Sequence, residues 1–358
     1  MFGTGLDDAK IYNLAPLKDS ALTSDFNPLS HNNVMASGRT VTLNNGVKVP
    51  QLGFGTWLAA PGEVGRATEE ALKVGFRHVD CAIIYGNQNE VADGIEASGV
   101  PRSDIFLVSK LWNNSHRPEN VESDLDATLK ELCTTYLDAY LIHWPVAMRH
   151  DLGELEPYEP GSTDRRAIDH DAPGIEATWK EMVRIYKVTK KVRSIGVSNF
   201  TVEHLQKVID ATGVVPAFNQ IECHPGLIQQ ELFDYCKDKG IIITAYSPLG
   251  NNFTGKPKIV DHPRIRAIAD RLGKTPAQVC YAWGLHQGFC VLSKSVTPSR
   301  IKSNFQDITL SDEDFEEVSA VGRANRVRAN MPVEYTPAHW PINIFNEPEE
   351  KRYELRVW

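Results

Sequence analysis

From Leu52 to Ser293 short apolar runs alternate with amphipathic stretches, and this alternation leaves very few folds open. The runs Leu52–Gly55, His78–Asp80, Ile105–Ser109, Ala139–His143, Ser194–Val197, Ala217–Gln220, Ile241–Ala245 and Cys290–Ser293 have the length of buried strands. Between them lie segments such as Gly62–Val74, Val121–Leu132, Ile175–Tyr186, Val202–Ala211, Gln229–Lys239 and Pro276–His286. These carry apolar residues at three- and four-residue spacing, the period of a helix with one buried face. Eight strand–helix units in 358 residues predict an α/β chain folded as a (β/α)8 TIM barrel. The rival, an open doubly wound sheet, carries Gly-x-Gly-x-x-Gly after its first strand. Gly53-Phe54-Gly55-Thr56-Trp57 lacks the third glycine, so a dinucleotide bound here is not held by that device. Ahead of the barrel, Thr40–Leu43 and Val47–Pro50 flank Asn44-Asn45-Gly46, which predicts a β-hairpin.

Residues 1–38 are rich in Asp, Asn, Ser and Leu without period and are expected to form a flexible extension. Residues 39–330 are expected to form the catalytic barrel, with long substrate loops, and residues 331–358 a tail strapped over it. The extension has no positively charged stretch leading into an apolar core, so no secretory signal is expected. No apolar run approaches the roughly 20 residues that span a bilayer. A net charge of −8 without a long Lys/Arg run argues against a nucleic-acid partner. The six cysteines form no Cys-x-x-Cys pair, so no metal site is expected, and reduced thiols in a cytoplasmic protein are. A monomer or weak homodimer that acts on a small molecule is the expected state.

In a barrel of this kind the site lies at the C-terminal ends of the strands. Polar residues gather there: Asp80 and Tyr85 after the second strand, Lys110 after the third and His143 after the fourth. Ser198 and Asn199, Asn219 and Gln220, Tyr246 and Ser247, and Lys294 and Ser295 follow on the next four. Hydride transfer to a carbonyl builds negative charge on oxygen, which needs a proton or strong hydrogen bonds. A free tyrosine, with pKa about 10, gives up its proton reluctantly near neutrality. An adjacent ammonium, Lys110, is expected to lower that pKa, with Asp80 compensating the lysine and His143 orienting the carbonyl.

Longer strings sharpen this. Gly75-Phe76-Arg77-His78-Val79-Asp80-Cys81-Ala82 runs into Ile84-Tyr85-Gly86-Asn87 and Asn89-Glu90-Val91. Val108-Ser109-Lys110-Leu111-Trp112, Leu141-Ile142-His143-Trp144-Pro145 and Ile195-Gly196-Val197-Ser198-Asn199-Phe200 follow in order. Asn219-Gln220-Ile221-Glu222-Cys223-His224-Pro225, Ala245-Tyr246-Ser247-Pro248-Leu249-Gly250 and Lys294-Ser295-Val296-Thr297-Pro298 complete the set. From about Thr40 to Asp314 the chain resembles the aldo-keto reductase family, most closely its aldehyde, glycerol and sugar reductases.

The resemblance implies an NADPH-dependent oxidoreductase that reduces aldehydes or ketones reversibly, with Tyr85 as acid, Lys110 and Asp80 as its helpers and His143 positioning substrate. It implies that Ser198, Asn199 and Gln220 hold the nicotinamide carboxamide, that Tyr246 stacks on the ring, and that Ser247 and Leu249 touch the pyrophosphate. Gly55, Thr56 and Trp57 would lie near cofactor and substrate, and Trp57, Trp112 and Trp144 would wall the substrate pocket with His143.

Lys294, Ser295, Val296, Thr297, Arg300 and Asn304 match the segment that holds the adenosine end. There Lys294 and Arg300 suit a nearly dianionic 2′-phosphate. Two positions depart from the family pattern: Ser303 stands where Glu often meets the adenine amino group, and Ser293 where Pro often precedes the lysine.

Small aldehydes, glyceraldehyde and sugar-derived carbonyls are the expected substrates. The substrate loops are the acidic stretch from Met148 to about Pro173 and a short loop from Asn251 to Val260. In the tail, Tyr335, Trp340, Pro341, Ile344 and Phe345 serve either as packing or as pocket lining. Two other functions stay open: a Schiff-base aldolase using Lys110, and a non-catalytic NADP(H)-binding regulatory subunit.

Overall fold

Asn44-Asn45-Gly46 turns the chain between β1 (Thr40–Thr42) and β2 (Lys48–Pro50), with Thr40 opposite Pro50 and Thr42 opposite Lys48. Gly46 takes φ +85°, a conformation that disfavours any side chain, and the Leu43 N–H closes the turn on the Val47 carbonyl at 2.8 Å. The computed structural model describes residues 38–251, 255, 257–306, 308–324 and 326–354. Apart from Gly38, the expected N-terminal extension lies outside the described residues.

Eight further strands follow: β3 (Leu52–Gly55), β4 (His78–Asp80), β5 (Phe106–Leu111), β6 (Ala139–Ile142), β7 (Ile195–Ser198), β8 (Phe218–Glu222), β9 (Ile242–Tyr246) and β10 (Cys290–Ser293). They form a closed parallel barrel in which each pairs with the next and β10 returns to β3. The connections are α1 (Val64–Val74), α2 (Gln88–Ser98), α3 (Pro118–Glu131), α4 (Ile175–Val188), α5 (Val202–Thr212), α6 (Gln230–Lys239), and then α7 (Pro263–Leu272) and α8 (Pro276–His286) between β9 and β10. After the barrel come α9 (Pro298–Asn304) and α10 (Asp312–Ala324). The (β/α)8 expectation is met.

Local chemistry explains the helix starts. Thr201 and Thr275 each cap a helix through a reciprocal box, with His204 and Gln278 as the returning partners. Proline occupies the first turn of α3, α7, α8 and α9, where its missing N–H costs nothing. The α1–α2 contact needs glycine, since a Cβ on Gly94 would sit 2.3 Å from the Gly65 carbonyl oxygen. Trp179 on α4 and Trp283 on α8 are sealed in the layer between helices and strands.

The hairpin lies across the floor of the barrel. Leu43 and Val49 pack with Phe106, Val108, Leu141, Phe218 and Cys290, and the Asn44 side chain donates to the Pro216 carbonyl at 3.0 Å. Water is excluded there, which leaves the opposite end as the mouth.

The strands reach further toward that mouth than the apolar runs predict. Lys110 lies inside β5, opposite Leu141, Ser198 ends β7 opposite Gln220 within β8, and Glu222 ends β8 opposite Tyr246. Parallel pairing uses backbone groups alone, so the ladder continues through polar residues that face the opening. His143 does fall one residue beyond its strand.

Beyond α10 the tail folds back on the mouth. Trp340, Ile342 and Ile344 are buried with Trp112, Trp144, Val146, Met148 and Ile168. Arg326 and Arg328 hold Glu347, and the buried Glu350 carboxylate accepts the N–H groups of Ile344, Phe345 and Glu347. The acidic stretch from Met148 to Pro173 is tied to the tail where Arg165 bridges to His339. Among the described residues no helix is long and apolar enough to cross a membrane.

Candidate active site

Three neighbouring strand ends deliver the expected tetrad to one place. Asp80 ends β4, Tyr85 ends the single helical turn Ile83–Tyr85, Lys110 rises from β5, and His143 follows β6. The Lys110 Nζ donates to Asp80 Oδ1 at 2.6 Å, to the Cys81 carbonyl at 2.8 Å and to the Tyr85 hydroxyl oxygen at 3.4 Å. Lys110 is 0 % exposed. A charge buried so deeply persists only because its partners are this close. The second Asp80 oxygen accepts from Gln220 Nε2 at 2.8 Å. His143 packs edge-on to Tyr85, with ring centroids 5.9 Å apart, and to Trp112 at 5.0 Å.

The electrostatics correct one expectation. Burial pushes the Tyr85 phenol well above its ordinary value, and the charges of Asp80 and Cys81 add to the rise. Lys110 does not reverse this, because its charge is matched by Asp80 within hydrogen-bond distance. The phenol therefore keeps its proton. Its oxygen accepts from Lys110, so the O–H is left to point elsewhere.

Burial, helped by the charges of Lys110 and His116, holds His143 well below the usual histidine range. The ring is neutral at physiological pH. Its Nδ1 has no hydrogen-bond partner among the described residues, so Trp112 and Tyr85 hold the ring by packing.

Next to the tetrad the proposed carboxamide holders interlock. The Ser198 hydroxyl donates to the Gln220 carbonyl at 2.7 Å. Asn199 Nδ2 donates to the His143 carbonyl at 2.9 Å, while Asn199 Oδ1 accepts from the Tyr246 hydroxyl at 2.6 Å. Asn199 and Ser247 sit at φ +64° and +47°, left-handed turns that bend the chain sharply off β7 and β9. Leu249, half-buried, packs against the core, and Ser247 accepts from Asn251 at 3.4 Å.

On the other flank, Gly55 pairs with Asp80, and the Thr56 hydroxyl donates to the Asp80 carbonyl at 2.9 Å. Trp57 is 42 % exposed and its ring lies 6.3 Å from Tyr85. The adjacent rim carries the adenosine candidates. Lys294 Nζ donates to the Leu58 carbonyl at 2.6 Å, Ser295 accepts the Thr297 N–H, Val296 packs under the rim, and Arg300 is exposed on α9 with Asn304 buried behind it. Partial burial lowers the Lys294 pKa, with Glu63 opposing. Ser303 turns its backbone carbonyl to Gln278.

Trp112 and Trp144, the expected substrate wall, do not meet alone. Trp340 from the tail packs edge-on against both, at 6.0 and 5.2 Å, and Phe345 lies 6.2 Å from Trp144. The two readings of the tail thus merge: its aromatics are packing, and what they pack against is Trp112 and Trp144, the residues expected to line the pocket. The sequence does not single out Asn330 or Glu222: Glu222 lies within Asn219–Pro225, and Asn330 lies in an aperiodic stretch with no local signal. Among the described residues, no three His, Cys, Asp or Glu side chains are grouped to hold a metal ion.

Residues 51–323 match the sequence profile of the aldo/keto reductase family. The chain is 53% identical to a D/L-glyceraldehyde reductase of Hypocrea jecorina, over 88% of this chain and 97% of that protein. It is 40% identical to a glycerol 2-dehydrogenase (NADP(+)) of the same organism, over 86% and 99%. Among solved structures, aldose reductase from Schistosoma japonicum superposes with a TM-score of 0.75 at 38% identity, covering 82% of this chain and 95% of that one. With the barrel, the tetrad and these likenesses together, this chain belongs to the aldo/keto reductase family.

Proposed function

We propose that this protein reduces small aldehydes and ketones, glyceraldehyde and sugar-derived carbonyls among them, to alcohols, reversibly, with NADPH as cofactor and Tyr85 as proton donor. The observation that carries the reading is the fully buried Lys110 within reach of both Asp80 and the Tyr85 hydroxyl. The residues fit the cofactor. The Tyr246 ring is half-buried with its hydroxyl pinned, Ser198, Asn199 and Gln220 supply amide and hydroxyl groups beside it, and two cations, Lys294 and Arg300, stand on one rim of an acidic protein. When bound, the reduced nicotinamide supplies a hydride to the carbonyl carbon.

The chain does the rest. His143 and Tyr85 bracket the carbonyl oxygen, and the Tyr85 O–H gives its proton to the developing alkoxide. The phenolate left behind draws closer to Lys110, whose ammonium is already in place. Trp57, Trp112 and Trp144 shelter the reaction from water. Lys294 and Arg300 hold the 2′-phosphate, which sets the preference for NADPH over NADH.

The tail closes the substrate side. The six free cysteines support a reducing, cytoplasmic setting, and a monomer or weak homodimer is all the chemistry needs. The aldolase alternative loses ground, because an amine nucleophile must be unprotonated and free, while Lys110 commits three donors to Asp80, Cys81 and Tyr85. A panel of aldehydes with NADPH, followed at the nicotinamide absorbance, tests the reading with wild type and Tyr85→Phe side by side. Turnover by wild type that Tyr85→Phe abolishes is the expected result; equal turnover removes Tyr85 as the acid. Tight NADPH binding with no turnover of any aldehyde points to a regulatory subunit.

A further inference from the structure

The face of Tyr246 can serve a nicotinamide ring only if the phenol is held at a fixed tilt, and its hydroxyl is held from two sides. It donates to Asn199 Oδ1 at 2.6 Å and accepts from Asn330 Nδ2 at 2.6 Å. Asn330 is itself fixed. Its backbone N–H donates to Glu222 Oε2 at 2.8 Å, the neighbouring Ala329 N–H donates to Glu222 Oε1 at 2.9 Å, and its side-chain oxygen accepts from the Tyr335 hydroxyl.

Glu222 is opposite Tyr246 in the β8–β9 ladder. One strand therefore anchors the Asn330 backbone while the Asn330 side chain reaches the next. Burial would raise the Glu222 pKa, but His224, Arg328 and the Asn330 N–H together hold it below the usual carboxylate range, so the anchor stays charged. His224 Nε2 lies 3.0 Å from that carboxylate.

We infer that Asn330 is a positioning residue for hydride transfer: it orients Tyr246 under the nicotinamide and, through Tyr335, ties that orientation to the tail that backs the substrate wall. The inference rests on the proposed cofactor site. Each hydrogen bond is accounted for at the atom. The Tyr246 proton goes to Asn199, so the Tyr246 oxygen needs a donor, which an asparagine amide provides and a carboxylate does not. Tyr335 packs 5.9 Å from Trp340, the ring that touches both Trp112 and Trp144. A shift of Asn330 thus reaches cofactor and pocket together.

Asn330→Asp is the test, because it keeps the shape and the bond from Tyr335 while removing the donor to Tyr246. Tyr335→Phe is the second variant, and it frees Asn330 without a charge change. Binding of NADPH and of NADH is measured separately by fluorescence, and the primary isotope effect with 4-deuterated NADPH is measured at saturation. In Asn330→Asp both dissociation constants are expected to rise by the same factor, about ten-fold for a lost buried hydrogen bond, with a larger isotope effect. Tyr335→Phe should move both in the same direction by less.

A residue that only supports folding lowers the active fraction and leaves both dissociation constants and the isotope effect unchanged in what remains. That outcome in both variants, or a rise confined to NADPH, overturns the inference while leaving the cofactor site intact. Wild type that binds neither dinucleotide overturns the cofactor reading itself, and this inference with it.

Discussion

Gln220 Nε2 reaches the Asp80 carboxylate at 2.8 Å, on the oxygen that Lys110 does not use. A residue proposed to hold the cofactor carboxamide thereby also completes the shell of the buried ion pair. Ser198, bonded to the Gln220 carbonyl, and Asn199, bonded to the His143 carbonyl, extend the same lattice. The proposed cofactor site and the acid site share side chains.

Breaking that pair is expected to cost more than removing it cleanly. Asp80→Asn leaves the Lys110 ammonium buried without its counter-charge, a loss of about 3–5 kcal/mol for a buried pair broken on one side. Gln220→Leu leaves one Asp80 oxygen unpaired, at about 1–3 kcal/mol. Urea unfolding of the two variants should rank them in that order. A smaller loss in Asp80→Asn would contradict the coupling described above.

The raised Tyr85 pKa predicts opposite pH profiles for the two directions. Below its folded value the phenol is protonated, as reduction requires, so reduction shows no fall from this group between about pH 6 and pH 9. Alcohol oxidation needs the phenolate and rises with pH across the same window. Initial rates in both directions, with substrate saturating, check the signs; oxidation that is flat with pH rules out Tyr85 as the group responsible.

Buried neutral histidines make the fold acid-labile. Burial lowers His116 to about 3, and His143 also lies well below the ordinary value of about 6.5. Their folded values are depressed, so as pH falls below about 6.5 the unfolded chain binds protons that the folded chain refuses. The cost is about 1.4 kcal/mol per pH unit for each group. His116→Gln should lose stability less steeply than wild type between about pH 6.5 and pH 5, read from urea midpoints. An equal slope removes His116 from the account.

Arg300→Ala is expected to raise the NADPH Michaelis constant by ten-fold or more, on the order of one lost charge-assisted contact, while leaving that for NADH nearly unchanged. Steady-state kinetics with both cofactors decide the matter. A parallel rise would place Arg300 away from the 2′-phosphate.

Trp340 is 1 % exposed between Trp112 and Trp144. Trp340→Ala should raise the aldehyde Michaelis constant and spare NADPH affinity, with a stability loss of about 3–5 kcal/mol if the wall cannot collapse. Michaelis constants beside an NADPH titration separate the two effects.

The barrel and the tetrad could be read from the sequence for one reason. In parallel strands, burial writes an apolar run and the run's end marks the mouth, so Asp80, Lys110 and His143 announced themselves by position. The strand limits were less legible, because Lys110, Ser198, Glu222 and Tyr246 continue the ladder with backbone groups that leave no trace in hydropathy. The direction of the Tyr85 shift was misjudged because a lysine's field depends on what neutralises it, and only the 2.6 Å approach of Asp80 decides that. Asn330 left no signal, since its partners Tyr246 and Glu222 are 84 and 108 residues away along the chain.

The β1–β2 hairpin, laid over the floor with Leu43 and Val49 in the barrel's lower core, closes that end of the barrel. On the proposed reading, cofactor, substrate, product and displaced water then share the opposite rim. Every rim segment is then expected to be a door as well as a wall, with Trp57, the Lys294–Leu58 contact and the Trp340 tail setting the pace of exchange even where they leave the chemistry alone. A change in the floor is expected to alter how long the protein lasts, and a change in the rim how fast it empties.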